Sequence, residues 1–401
     1  MFSATLRRAV KMSSSTTSAP FSKAAVSAMR KLYPEALAEK SWDNTGLLLE
    51  APFDPIRRNM NSVLLTVDLT KAVADEAIER NDSMVIAYHP IIFRGLKTLT
   101  LADTQQQTLL RLAAEGISVY SPHTAIDCAP GGLGDWLADI VSGTPASAEE
   151  VEQIQEETKA ETSRPASPSK SNLAAPEGDP FAPPKRPTFH LQHHPSQLSI
   201  KDQALKLASD RHTRRPIKPC NVPGYENTGA GMGRIVRFST PQPLLSIIDR
   251  IGLGLGNPKG FPIAIPQGKQ MSEIDISSVA ICAGAGGGLF SGLGKNGEED
   301  VDLLFTGELS HHEALAAIEQ GKVVIALFHS NTERGFLHSV LKPQLEKAIK
   351  DEWNRVRNEE KKTKSSLSDD YLDALEDDHV EVHVSEVDRD PYGIMISKDE
   401  I

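Results

Sequence analysis

Short apolar runs alternate with amphipathic stretches between residues 62 and 142. SVLLTV, MVIAY and ISVYS read as buried strands, and the segments from Thr70 to Arg80 and from Asp103 to Glu115 read as helices. Asp103 stands three residues before Gln106, the spacing of a capping box, and Gly116 follows the last turn as a stop signal. Strand–helix–strand alternation of this kind predicts βαβ units and a parallel sheet. The same rhythm returns after about residue 225. There SSVAIC, VDLLF and KVVIALF read as strands, one helix opens at Ser310 with Glu313 completing a capping box, and another follows Thr332. The fold class expected is therefore α/β, in two similar halves with mainly parallel sheets.

Between the halves the pattern stops. Residues 143–224 hold 12 of the chain's 26 prolines, together with charged text such as EEVEQIQEETKAE, and such a stretch has too few apolar residues to build a core. A short amphipathic patch near Ile200–Leu207 reads as helical, and His190, His193 and His194 read as solvated loop residues. The expected organisation is a tail or transit peptide over 1–19, a first α/β half over 20–142, a long disordered insert over 143–224, and a second α/β half over 225–395. Within that second half, a charged insertion near 350–378 reads as a solvated helix with a disordered stretch, and VEVHV as one last strand.

Length and charge refine this picture. A chain of 401 residues is long enough for two packed units. Its net charge of −11 argues against a nucleic-acid surface covering the whole molecule, and no run is apolar and long enough to span a bilayer. Cys128, Cys220 and Cys282 are odd in number and never spaced as CxxC, so the chain points to a reducing compartment rather than a disulfide framework. A cytoplasmic protein is expected. The alternative is a mitochondrial one, because the first 34 residues lack Asp and Glu while Phe2, Leu6, Arg7, Arg8, Val10 and Lys11 form an amphipathic basic pattern.

Ligands of parallel sheets bind beyond the carboxyl ends of the strands. His89 follows MVIAY, His123 and Asp127 follow ISVYS, and His329 and Glu333 follow KVVIALF, so both halves bring imidazole and carboxylate to that edge. Imidazole with carboxylate and without thiolate suits Zn, Fe, Mn or Ni and leaves room for an exchangeable water. Asp68, at the end of SVLLTV, reads equally as a ligand-edge acid or as a helix-start residue. Thr306, Gly307 and Glu308, with His311 and His312 at the next helix start, form a possible contact for an anionic substrate. The run Ala283–Gly288 reads as a tight turn, Trp42 as packing and Asn44 as a turn residue.

The segments SWDNTGLLLE (41–50), AYHPIIFRGLKTLT (87–100), HTAIDCAPGGLGDWLA (123–138), TGELSHHEAL (306–315), FHSNTERGFL (328–337) and SEVDRDP (385–391) resemble, in this order, signatures of the Nif-three-like family, also called type 2 GTP cyclohydrolase I. The resemblance implies two similar α/β halves, a toroidal homo-oligomer expected to be a hexameric ring, and a centre of one or two divalent transition metals (Zn, Fe or Mn) per chain. By motif the metal ligands would be His89, Asp127, His329 and Glu333. His123 falls on the histidine heading the second motif, and His123 and His312 are the candidate proton carriers of a catalytic site. Tyr88 stands where many relatives carry a second histidine. The implied activity is metal-dependent hydrolysis of a nucleotide or another small phosphorylated anion. The alternative is a metal-stabilised oligomeric adaptor whose protein partners would dock on 143–224.

Overall fold

The computed structural model describes residues 17–57, 59–143, 189–192, 212–295, 299–362 and 367–397. The expected basic helix of the first residues, the patch at 200–207, His193 and His194 all lie outside them. The chain divides into two compact units, Met1–Ile126 with Val340–Asp388, and Asp127–Ser339 with Arg389–Ile401.

The first unit is built on a five-stranded sheet in the order Gly46–Leu49, Ser118–Ser121, Asp82–Ala87, Met60–Thr66 and Glu381–Val384. Every pairing is parallel except that of Gly46–Leu49, which runs antiparallel to Ser118–Ser121 at one edge. Asp82–Ala87 is buried along its whole length, as expected for a parallel strand covered on both faces and written as a continuous apolar run. Its crossover helix Lys71–Arg80 starts where the Thr70 hydroxyl accepts from Val73 N, and ends at Asn81 in the left-handed conformation. The helix Thr104–Ala114 starts on the Asp103 carboxylate, which accepts from Gln106 N. Val73, Ala74 and Ala77 pack with Leu112, Val85 and Val119 in one core cluster.

In the second unit a six-stranded sheet runs Ile263–Ala264, Val323–Ala326, Leu303–Glu308, Asp275–Ala285, Arg234–Pro243 and His212–Arg215. The three central strands are parallel, and antiparallel strands flank them. The capping box at Ser310 and Glu313 is present and opens the helix His311–Glu319.

Both units are therefore α/β with parallel centres, as the alternation predicts, but the division of the chain differs from the expected one. The helix Leu133–Ser142 belongs to the second unit, not the first half. The expected insert 143–224 contains the edge strand His212–Arg215, which pairs with Arg234–Pro243. Residues 189–192 pair with Ile394–Ser397, so the backbone of His190 lies in a strand rather than a loop. VEVHV does form a strand, but it lies beside Met60–Thr66 in the first unit's sheet.

The charged stretch that reads as solvated differs as well. Lys342–Glu360 is a helix whose Leu345, Ile349, Trp353 and Val356 are buried, an apolar stripe at helical spacing inside Lys- and Glu-dense sequence. It packs on the helix Pro20–Leu32, where the Phe21 and Trp353 rings meet edge to face at 5.6 Å. Such a ring pair adds about 0.5–1.5 kcal/mol to the area it buries.

Candidate metal centre

In the first unit the polar cluster begins at the ends of neighbouring parallel strands. Met60–Thr66 leads to Asp68, and Asp82–Ala87 leads to Tyr88 and His89. Asp68 Oδ1 and His89 Nδ1 lie 2.9 Å apart. His123 opens the helix His123–Cys128, and its Nδ1 sits 2.7 Å from Asp43 Oδ1. The Asp43 carboxylate is fully buried in its side chain. It also accepts from Asn44 N at 2.7 Å, from Thr45 Oγ1 at 2.6 Å and from the Thr124 hydroxyl. Burial alone would raise the Asp43 carboxyl, but the His123 hydrogen bond and charge, with the Thr124 and Thr45 hydroxyls, more than offset it and hold the group far below the usual carboxylate range.

The rings of Tyr88, His89 and His123 meet edge to face, with centroids 5.0–5.4 Å apart. Tyr88 is 2 % exposed. With Nδ1 of each histidine directed at a carboxylate, Nε2 is the ring nitrogen that keeps its lone pair available.

The second unit repeats the device. Leu303–Glu308 ends in Glu308, the parallel neighbour Val323–Ala326 leads to His329, and His329 Nδ1 lies 2.9 Å from Glu308 Oε1. Glu308 stands 21 residues before its histidine, as Asp68 does in the first unit. His329 Nε2 lies 3.8 Å from Glu333 Oε1, and the Glu333 side chain is 2 % exposed.

The glycine run that reads as a tight turn supplies the floor of this cluster. Gly284 has φ +60°, and a Cβ there would lie 2.8 Å from His329 Nε2 and 2.9 Å from Glu333 Oε1. Its N–H donates to Thr332 Oγ1 at 2.9 Å, and its carbonyl accepts from Thr306 Oγ1 at 2.9 Å. Only a residue without Cβ lets the backbone approach the imidazole and the carboxylate so closely. Burial pushes the Cys282 thiol far up, and the charges of Asp127 and Glu333 push it further.

His312 lies apart from these groups in its surroundings. It is exposed on the first turn of His311–Glu319, with its ring edge on His311 at 5.2 Å.

Residues 22–365 match the family model Duf34/NIF3 (NGG1p interacting factor 3). The chain belongs to this family. It is 37% identical over 314 residues to the "Protein NIF3 homolog" of Schizosaccharomyces pombe, covering 78% of this chain and 84% of that protein. It is also 30% identical over 373 residues to human "NIF3-like protein 1", covering 84% and 90% of the two chains. Among solved structures, "Bacillus cereus protein related to NIF3" superposes with a TM-score of 0.54 at 17% identity, over 94% of this chain and 99% of that one. Staphylococcus aureus protein SA1388 gives 0.51 at 19% identity, over 92% and 98%. At these identities the two structures speak for the fold alone.

Within the NIF3 segments of this chain, the roles of Asp43 and Glu308 as partners of His123 and His329 escape a sequence reading. Asp43 lies beside Trp42 and Asn44 in a stretch that reads as packing and turn, and nothing local signals that its carboxylate holds an imidazole 80 residues away. Glu308 is visible only as a strand-end residue. The signal that finds it is the repeat of an acid and a histidine 21 residues apart at the ends of adjacent parallel strands, present once in each unit.

Proposed function

We propose that this protein binds a divalent transition metal through residues among His89, Asp127, His329 and Glu333, and that it uses the metal for hydrolysis of a small anionic substrate such as a nucleotide. The observation that carries this reading is the repeated acid-to-Nδ1 hydrogen bond at His89 and His329. Metal-binding imidazoles characteristically place their second nitrogen on a carboxylate, which fixes the tautomer and turns Nε2 outward. The donor set, imidazole and carboxylate without thiolate, fits Zn, Fe or Mn.

A bound ion of this kind would supply Lewis-acid chemistry to the hydrolysis. The chain's own contribution is orientation and proton handling. Asp43 holds His123 by Nδ1, so His123 Nε2 is the atom that takes up or returns a proton. His312 is the weaker proton carrier, because its exposed position gives its ring no such hold. Assembly into a hexameric ring belongs to the same proposal.

A relative from Saccharomyces cerevisiae is named "NGG1-interacting factor 3", which favours a second reading, an adaptor that binds protein partners without turnover. One experiment addresses both. The purified protein and the variants His89→Ala, Asp127→Ala, His329→Ala and Glu333→Gln are analysed for bound metal and screened against phosphorylated metabolites. The wild type is expected to hold metal and each variant less. A wild-type protein that neither contains nor takes up Zn, Mn or Fe would sink the proposal, while metal without turnover of any metabolite would favour the adaptor.

A further inference from the structure

Of the chain's three cysteines, all free thiols, two meet in space although they lie far apart in sequence. Cys128 closes the helix His123–Cys128, Cys220 follows the strand Lys218–Pro219, and both belong to the second unit. Their thiols are hydrogen-bond partners.

The backbone on both sides of this contact is fixed by other bonds. Lys218–Pro219 pairs antiparallel with Gly231–Met232, and the Cys220 N–H continues the pairing by donating to Ala230 O at 3.0 Å. Buried Arg234 ties this hairpin to the residue after the helix. Its Nη1 donates to Gly231 O at 2.6 Å and to Gly233 O at 2.8 Å, and its Nη2 to Ala129 O at 3.4 Å. Asp135 holds the guanidinium in turn, accepting from Nε at 2.7 Å and from Nη2 at 2.9 Å. The neighbour of Cys128 and the strand opposite Cys220 therefore share one cation, and the two thiols are brought together by bonds that do not involve sulfur.

The two thiols differ in access. Cys128 is 3 % exposed, whereas Cys220 is half-buried and leads into residues 221–229, which are mostly exposed. A reagent from solution meets Cys220 first. The exposed loop also supplies the movement that a bond requires: sulfurs in hydrogen-bond contact must close to about 2.05 Å, and a surface loop yields more readily than the packed end of a helix.

We propose that Cys128 and Cys220 form a reversible dithiol–disulfide pair that reacts by exchange with a small disulfide such as glutathione disulfide. In the first step the Cys220 sulfur attacks one sulfur of glutathione disulfide, one glutathione leaves, and a mixed disulfide stands on Cys220. In the second the Cys128 sulfur attacks the Cys220 sulfur and expels the second glutathione. The two cysteine thiols are oxidised to one disulfide, glutathione disulfide is reduced to two glutathiones, and the two thiol protons end on those glutathiones. Disulfides of reducing compartments are of this transient kind rather than permanent cross-links. The pair goes beyond the metal proposal and stands without it.

The reduced full chain, with a chelator present, is equilibrated under native conditions in glutathione buffers of increasing disulfide content, quenched in acid, alkylated and digested without reduction. Mass spectrometry then reads which cysteines are joined. A Cys128–Cys220 linked peptide is expected, exceeding the glutathione adduct of Cys220 by about tenfold or more, because the second attack is intramolecular. Excess reduced glutathione should reopen it. In Cys128→Ser the adduct on Cys220 should accumulate, and in Cys220→Ser Cys128 should react about tenfold or more slowly than Cys220 does in Cys128→Ser. Thermal unfolding checks that both variants fold, and the wild-type peptide map decides by itself if either does not. A wild type that stays reduced at both positions, that keeps glutathione on Cys220 without forming the link, or that links only in urea overturns the proposal. With metal removed throughout, these outcomes are independent of the metal centre.

Discussion

His89, His123 and His329 each meet a carboxylate at Nδ1, and the three acids, Asp68, Asp43 and Glu308, come from strand ends or loops rather than from the histidines' own neighbours in sequence. An imidazole left alone samples both tautomers and several rotamers; one held by a carboxylate presents a single basic nitrogen in a single direction. The physical content of the candidate centre is this restriction. It gives a prediction at the scale of one atom: Asp68→Asn removes the charge that favours the Nδ1–H tautomer of His89 while keeping the shape. Zinc affinity, measured by competition with a chromophoric chelator, should fall by about tenfold to a hundredfold, as is usual for the loss of a group that orients a metal ligand. Thermal stability should change little, because Asp68 is 35 % exposed in its side chain. Unchanged zinc affinity would mean that Asp68 does not orient the imidazole.

Among the elements, the helix Lys342–Glu360 has the most to teach. Its Glu352, 4 % exposed, accepts from Ser27 Oγ at 2.6 Å and from the Lys31 ammonium on the helix Pro20–Leu32, and from Arg355 Nη2 at 2.9 Å. Burial by itself would raise this carboxyl, but the hydrogen bonds from Lys31, Ser27 and Arg355 outweigh it and bring the group down to about 2. The unfolded chain holds a Glu near about 4.3. A carboxyl lowered on folding contributes stability that is complete above the unfolded value and is lost as pH falls through the folded one. Glu352→Gln should therefore lower stability by about 1–2 kcal/mol at pH 7, a modest figure because Lys31 and Arg355 are largely in water. The deficit relative to wild type should stay constant above about pH 5 and shrink as pH falls toward about 2. Urea unfolding at a series of pH values measures it, and a deficit independent of pH down to about 2 would contradict the assignment.

For the whole molecule the question is where the long Pro-rich stretch ends. Composition places the insert at 143–224, whereas the structure puts Arg214 of the strand His212–Arg215 on Asp139 at 2.5 Å and Arg215 on Glu299 at 2.6 Å. Residues 144–188 lie outside the described part, and their composition still predicts that they add chain length rather than core. Replacing 144–188 with a Gly/Ser linker of about 20 residues should leave the unfolding midpoint nearly unchanged, since loop-closure entropy varies only slowly with length. Replacing all of 143–224 should lower the midpoint, because it removes the edge strand and both Arg contacts. Equal midpoints for the two replacements would show that His212–Arg215 contributes nothing to the second unit.

The parallel centres of both sheets were legible in the chain because each rests on a local cause. Continuous apolar runs, capping residues at Asp103 and Ser310, and a stop at Gly116 act within a few residues of themselves. The strand-end histidines were legible for the same reason, since a polar residue directly after a buried strand needs no knowledge of what lies opposite. What the tertiary structure decided involves partners distant in sequence. Glu381–Val384 has the pattern of a strand, but its neighbour is Met60–Thr66, more than 300 residues earlier. Lys342–Glu360 is charged enough to read as solvated until the helix Pro20–Leu32 covers its apolar stripe. The pairings of Asp43 with His123 and of Glu308 with His329 carry no local signal. A hydrogen bond or a ring contact depends on atoms a few ångströms apart in space, whatever their separation along the chain.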